Sequence, residues 1–122
     1  MAITRVIPQL RTTDMKSSVS FYTDKLGFSV EFSYEDFYVG IRAGDEFFHI
    51  KLVDEPDPSI RFVDDGEHFH LYFQTEGVAA YAAELKAKGV DLLKDLHETD
   101  WNTREFIIHD NQGHTLYFGE PL

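Results

Sequence analysis

Cysteine is absent from the 122-residue chain, which excludes a disulfide framework and any thiolate metal site. Long hydrophobic runs are missing too, and no stretch approaches the length of a membrane span. The opening MAITRVIPQL lacks a basic region followed by an apolar core, so no secretory leader is expected there. Basic residues are scarce: 11 Lys and Arg stand against 22 Asp and Glu, a formal net charge of −11. That sign repels phosphate backbones and anionic bilayers, so neither nucleic acid nor membrane is an expected partner. The expected location is the cytoplasm. The charge would attract a cationic ligand. It also serves simply to keep a protein soluble, and composition alone favours that plainer role.

What the chain does have is apolar and aromatic material. Apolar residues make up 43% and aromatics 15%, with eleven Phe, enough for one domain with a modest core. Thr4–Leu10 reads as a strand. Asp14 is a helix N-cap, and Met15, Val19, Tyr22 and Leu26 follow at helical spacing. Lys25 and Gly27 suit the helix end. Three strands are expected at Phe28–Tyr34, Phe37–Arg42 and Phe47–Val53.

The pattern then repeats. His68–Thr75 reads as a strand, and Val78, Tyr81 and Leu85 mark a helix that stops at Gly89. Val90–Leu96, Arg104–His109 and Thr115–Phe118 read as strands, the last two joined by the turn Asp110-Asn111-Gln112-Gly113. The order is β-α-β-β-β twice, a structural repeat with weak sequence identity behind it. The expected organisation is one domain, 1–122, with a first module at about 1–53, a linker at about 54–67 and a second module at about 68–122. The linker is acidic, contains Pro56, Pro58 and Gly66, and reads as the joint between the halves, longer than a typical connection as functional or mobile loops are.

Strand alternation sorts side chains into two faces. Phe48, Ile50 and Leu52 oppose Phe47, His49 and Lys51. Phe69, Leu71 and Phe73 oppose His68, His70, Tyr72 and Gln74. Leu116 and Phe118 oppose Thr115 and Tyr117. The apolar faces pack under helices. The other faces carry His, Tyr and Lys, a mixture that suits a concave small-molecule site as well as a solvated sheet. Three strands share the bias, which favours the concave site.

The stretch Leu10–Phe28, LRTTDMKSSVSFYTDKLGF, is similar to the opening module of vicinal-oxygen-chelate proteins. There an Asp caps a helix that carries Phe-Tyr and ends in Leu-Gly-Phe. Trp101–Phe118, WNTREFIIHDNQGHTLYF, resembles their closing hairpin, with Asn111-Gln112-Gly113-His114 in place of the commoner Pro-x-Gly-Asn. The resemblance covers nearly the whole chain and is nearest the bleomycin-resistance-type members of the glyoxalase/bleomycin resistance protein/dioxygenase superfamily. It implies an α+β fold in which two βαβββ modules form an incomplete, cup-shaped barrel with helices outside, within an exchanged homodimer.

In the enzymes of this superfamily, metal ligands come from the first, fourth, fifth and eighth strands. Laying the sequence on that pattern puts Ile7, His49, His70 and Tyr117 there. Imidazole suits Zn, Ni or Fe, and the enzyme alternative would take Zn, Ni, Fe or Mn. Ile7 cannot bind a metal, and a neutral phenol is a poor carboxylate substitute. No bound metal is therefore the favoured expectation, and two histidines hydrogen-bonded in a polar cup is the preferred reading.

The favoured function is a protein that sequesters a cationic or aromatic small molecule, such as an antibiotic, in a dimer cleft. Its ligand-binding candidates are Tyr38, His49, Lys51, His70, Tyr72, Trp101, Glu105 and Tyr117. Trp101 sits in the polar loop Glu98–Asn102 as a candidate stacking anchor, and a packed loop anchor or dimer contact is an almost equal reading. The alternative is a metal-dependent glyoxalase-type lyase or isomerase, or an extradiol-type dioxygenase, with His49 and His70 on the metal and Glu105 shuttling a proton. A third reading makes the cup mere scaffolding for an interaction module. Arg104 is a candidate ion-pair partner for Glu105. His97 and His109 mark no site, and His114, after the turn glycine, is expected to be exposed.

Overall fold

A computed structural model describes residues 1–122. The chain divides into two compact units, Met1–Asp57 and Pro58–Leu122. The first unit contains β1 (Gln9–Thr12), α1 (Met15–Ser20), β2 (Ser29–Tyr34), β3 (Tyr38–Ala43) and β4 (Glu46–Leu52). Its helix continues through a wider π turn at Phe21–Lys25. The second unit contains α2 (Pro58–Asp65), β5 (Leu71–Gln74), α3 (Val78–Ala87), β6 (Leu92–Glu98), β7 (Thr103–His109) and β8 (Thr115–Pro121).

Each unit holds one open four-stranded mixed sheet. The strand orders are β1-β4-β3-β2 and β5-β8-β7-β6. In both sheets the first strand runs parallel to the last, and the other neighbours are antiparallel. The doubled pattern in the sequence is thus a doubled topology.

The helix ends follow local chemistry. Asp14 caps α1 by accepting from the Ser17 N–H at 3.1 Å and the Ser17 hydroxyl at 2.9 Å. Such a cap satisfies an N–H that the first turn of a helix otherwise leaves free. Thr12 and Ser18 are buried beneath this turn, with the Ser18 hydroxyl 2.7 Å from that of Thr12. Gly27 and Gly89 follow the helices at φ 78° and 82°, the left-handed region expected of such glycines. Gly77 cannot cap α3 with a side chain. Glu120 of β8 does so instead, its two oxygens accepting from the Gly77 and Val78 N–H groups at 3.1 and 3.2 Å.

The core of the first unit lies between α1 and its sheet. Tyr22, Leu26, Ile41, Phe48 and Ile50 are buried there, and the Tyr22 ring meets that of Phe48 at 5.1 Å. The core of the second unit is a run of stacked rings, Phe73 on Phe118 at 4.8 Å and Phe118 on Phe106 at 5.0 Å, closed by Val78 and Leu85. Burying each such side chain contributes roughly 1.5–3 kcal/mol.

Four expectations change. The first strand begins at Gln9 rather than Thr4, because its ladder partner His49 and the three residues after it pair with Gln9–Thr12. The acidic linker is not wholly irregular: Pro58 opens α2, where a missing N–H costs nothing, and Arg61 pairs with Asp65 at 3.5 Å one turn on. Strand β5 begins at Leu71, so Phe69 lies ahead of it. Phe69 is 48% exposed, and its ring packs on Tyr72 at 5.6 Å and Tyr117 at 5.2 Å, away from the core face. His114 is 1% exposed rather than solvated, because Asp110 draws its ring inward.

Candidate functional site

The second unit contains a cavity of about 580 Å³ whose lining includes Glu67, Lys94, Trp101, Glu105, Ile107 and Tyr117. Strands β6, β7 and β8 supply most of its wall. Two register shifts in β6, between Leu92 and Lys94 and between Lys94 and His97, break strict alternation. Leu93, Lys94 and His97 consequently all reach the cavity. Trp101, in the loop between β6 and β7, is 68% exposed at its rim.

Glu105 is the chemical centre of this wall. It is only 2% exposed, yet it lines the cavity. One carboxylate oxygen, Oε2, accepts from the Tyr72 hydroxyl at 2.7 Å and the Thr103 hydroxyl at 2.9 Å. Thr103 is itself held by the Thr99 hydroxyl at 2.7 Å. Arg104 does not pair with Glu105. Successive strand residues face opposite ways, and Arg104 meets Glu98 at 3.3 Å instead.

Gly119 makes the Tyr72 contact possible. A Cβ there would collide with the Tyr72 hydroxyl and sit 3.0 Å from Cγ of Glu105. Burial, and then the bond to Glu105, push the Tyr72 phenol up to about 12. Burial and the charges of Glu105 and Glu67 also raise Tyr117. Its hydroxyl donates to the Glu67 carbonyl at 3.3 Å. The wall therefore offers one carboxylate held by the neutral phenol of Tyr72, with a second neutral phenol, Tyr117, in the lining. Asp64 and Glu67 add acidity, against the single amine of Lys94.

The structure brings Tyr72, Trp101, Glu105 and Tyr117 together, four of the residues singled out in the sequence. His70 is engaged differently. Its Nδ1 accepts from the Thr115 N–H at 3.1 Å, which leaves the proton on Nε2, 3.2 Å from the Ser59 hydroxyl of α2. Its ring meets His114 edge-on at 4.8 Å. The His114 Nδ1 lies 2.7 Å from Asp110 Oδ2, and the other Asp110 oxygen accepts from the Gln112 and His114 N–H groups at 2.9 Å. His109, which marks no site in the sequence, joins Asp64 of α2 at 2.8 Å.

In the first unit, Tyr38 and His49 meet directly, with the phenolic oxygen 3.0 Å from Nδ1. Gln9 donates to the same oxygen at 3.2 Å. Lys51 stands opposite Tyr38 in the β3–β4 ladder, with its Nζ 6.0 Å from the centroid of the Phe37 ring. Gln9 escaped sequence reasoning because the expected strand stopped one residue after it. Alternation from a strand begun at Gln9 would have placed it beside His49.

A divalent metal would find a poor donor set at the four positions carried over from the superfamily enzymes. Ile7 has no donor and lies before β1. Both nitrogens of His70 are in hydrogen bonds, and Tyr117 keeps its proton. Within neither unit do three or more His, Asp or Glu side chains converge.

The profile of the Glyoxalase/Bleomycin resistance protein/Dioxygenase superfamily matches residues 3–118, and the chain belongs to this superfamily. Solved structures of both binding and enzymatic relatives share the fold. A bleomycin-binding protein from bleomycin-producing Streptomyces verticillus, solved with copper(II)-bleomycin, is 23% identical over 97% of this chain and 96% of its own, at a TM-score of 0.74. A glyoxalase-related enzyme from Clostridium phytofermentans is 20% identical over 100% and 98%, at 0.80. A lactoylglutathione lyase from Agrobacterium tumefaciens is 16% identical over 98% and 96%, at 0.73. No curated protein matches the sequence. At these identities the likeness carries the fold and leaves the ligand open. No helix of the chain is long and apolar enough to cross a membrane.

Proposed function

We propose that this protein sequesters a flat, cationic small molecule, in the manner of the bleomycin-resistance-type members of its superfamily. The observation that carries this reading is Glu105, a carboxylate 2% exposed that nonetheless lines a cavity of about 580 Å³ with Trp101 at its rim. Two hydroxyl donors hold Oε2 in place. A buried carboxylate so oriented favours a ligand ammonium or amidinium, and a charged hydrogen bond contributes about 1.5–3 kcal/mol. Trp101 supplies the stacking surface, worth roughly 0.5–1.5 kcal/mol beyond area. In this reading the protein works in the cytoplasm as a homodimer, whose second copy covers exposed apolar residues such as Ile3, Val6 and Leu93.

Trp101 is the sole tryptophan, so its emission reports from the rim of this cavity. Metal-free bleomycin and flat aromatic amines should change that emission saturably. A broad panel that leaves it unchanged would remove the main support for sequestration. Metal analysis separates the catalytic alternative: stoichiometric Ni, Zn, Fe or Mn in protein purified without chelator, lost in His70→Ala, would overturn the binding reading. Sedimentation of the intact chain tests the dimer.

A further inference from the structure

One wall of the second unit's cavity comes from a segment that the hydrophobic core does not hold. Helix α2 buries none of its residues, whereas α3 buries Val78, Ala82 and Leu85. Phe62, the largest side chain of α2, is 75% exposed. Apolar burial anchors α3 and contributes little to the docking of α2. Yet Asp64 near the end of α2, and Glu67 just beyond it, both line the cavity.

Two histidines hold α2 instead. The Nε2–H of His109, on β7, donates to Asp64 at 2.8 Å. The Nε2–H of His70, just ahead of β5, donates to the Ser59 hydroxyl at 3.2 Å. The partners fix both donors. A carboxylate only accepts, and His70 Nδ1 already accepts from the Thr115 N–H. Neither His109 nor Asp64 is buried, so water replaces their bond at small cost.

Two features beside these contacts oppose the docked position. Thr115 stands opposite His109 in the β7–β8 ladder, lines the cavity and is 3% exposed. Its hydroxyl is shielded from solvent and has no hydrogen-bond partner, a state that hydration relieves. Glu67, in the connection back to the sheet, holds φ 56°, the left-handed region that non-glycine residues avoid. Release of the segment relieves both, so the docked and released positions are closely balanced.

We propose that α2 is a gate on this cavity, latched by His109 on Asp64 and by His70 on Ser59, and hinged at Gly66 and Glu67. Opened, it withdraws one acidic wall and admits the ligand. Closed, it returns Asp64 and Glu67 to the lining. As regulation of that cavity the gate rests on the binding reading, but its opening is measured with no ligand present.

The test uses the intact, isotope-labelled chain. Amides of residues 62–66 should exchange with solvent at least about tenfold faster than those of α3. His109→Ala and Ser59→Ala should each speed that exchange about three- to tenfold, as loss of one hydrogen bond requires, and leave α3 as it was. Hydroxy-TEMPO, a small uncharged nitroxide, should broaden the methyl signals of Ile107 more in both variants than in the parent. Ile107 lines the cavity and is only 9% exposed, so its broadening reports entry. Exchange of α2 at the pace of α3, exchange that neither variant alters, or Ile107 broadening that does not rise with opening would each overturn the proposal. Cation affinity plays no part in these readouts, so failure of the gate and failure of the binding reading are distinguishable.

Discussion

The Tyr72 hydroxyl reaches across Gly119 and donates a hydrogen bond to Glu105 Oε2, 2.7 Å away. The partnership fixes the carboxylate of the second unit's cavity, and burial first, the bond to Glu105 second, push the phenol up to about 12. Because the folded pKa is raised, the associated stability is fully present below the ordinary phenol value near 10. It is lost as pH climbs from there through about 12. The Tyr72 ring-carbon resonance should titrate near the upper value, and Glu105→Gln should move its midpoint down. A Tyr72 midpoint that Glu105→Gln leaves unmoved would show that the bond is not made in solution.

Gly119→Ala should break this contact while leaving both partner residues in the sequence. The added methyl collides with the Tyr72 hydroxyl, and overpacking of this kind costs about 1–3 kcal/mol in chemical denaturation. Tyr72→Phe removes the colliding oxygen, so the double variant should lose less than the sum of the singles. Strict additivity would mean that the two positions do not meet.

His114→Ala should be among the costlier single changes, at about 2–4 kcal/mol. It opens a cavity and strips a buried carboxylate, Asp110, of one donor. His114→Asn keeps a donor near Asp110 and should lose distinctly less. Equal losses in the two variants would assign the cost to packing alone.

Asp14→Ala should lower stability measurably, through the two Ser17 bonds it removes. Those bonds hold the Asp14 carboxyl below its usual 3.8, the Ser17 N–H first and its hydroxyl second. The cap is therefore fully effective above that value and fades as pH falls through the lower folded one. Thermal melts of parent and variant should converge in strong acid.

What the sequence revealed was what neighbouring residues decide among themselves. Asp14, Gly27 and Gly89 announce helix ends because cap chemistry is local. The doubled strand order and the shared face of Tyr72 and Tyr117 follow from alternation. What it hid depends on distant partners. Thr4–Leu10 alternates as well as Gln9–Thr12 does, and only pairing with β4, some forty residues on, selects the second. His114 looked solvated because it follows a turn glycine, and the Asp110 side chain that buries it becomes a neighbour only once the turn closes. Gly119 carries no local sign that a tyrosine hydroxyl from β5 must pass over it. The bulges that turn Lys94 and His97 into one cavity are likewise invisible to simple alternation.

The most direct test of the central claim is a calorimetric titration of naphthamidine and its neutral isostere naphthamide into the parent protein and Glu105→Gln. The account predicts that the cation binds the parent more tightly than the amide does. It also predicts that Glu105→Gln weakens the cation about ten- to a hundredfold, as loss of a charged hydrogen bond requires, and leaves the amide nearly unchanged. Equal affinities of the cation for parent and variant would contradict it.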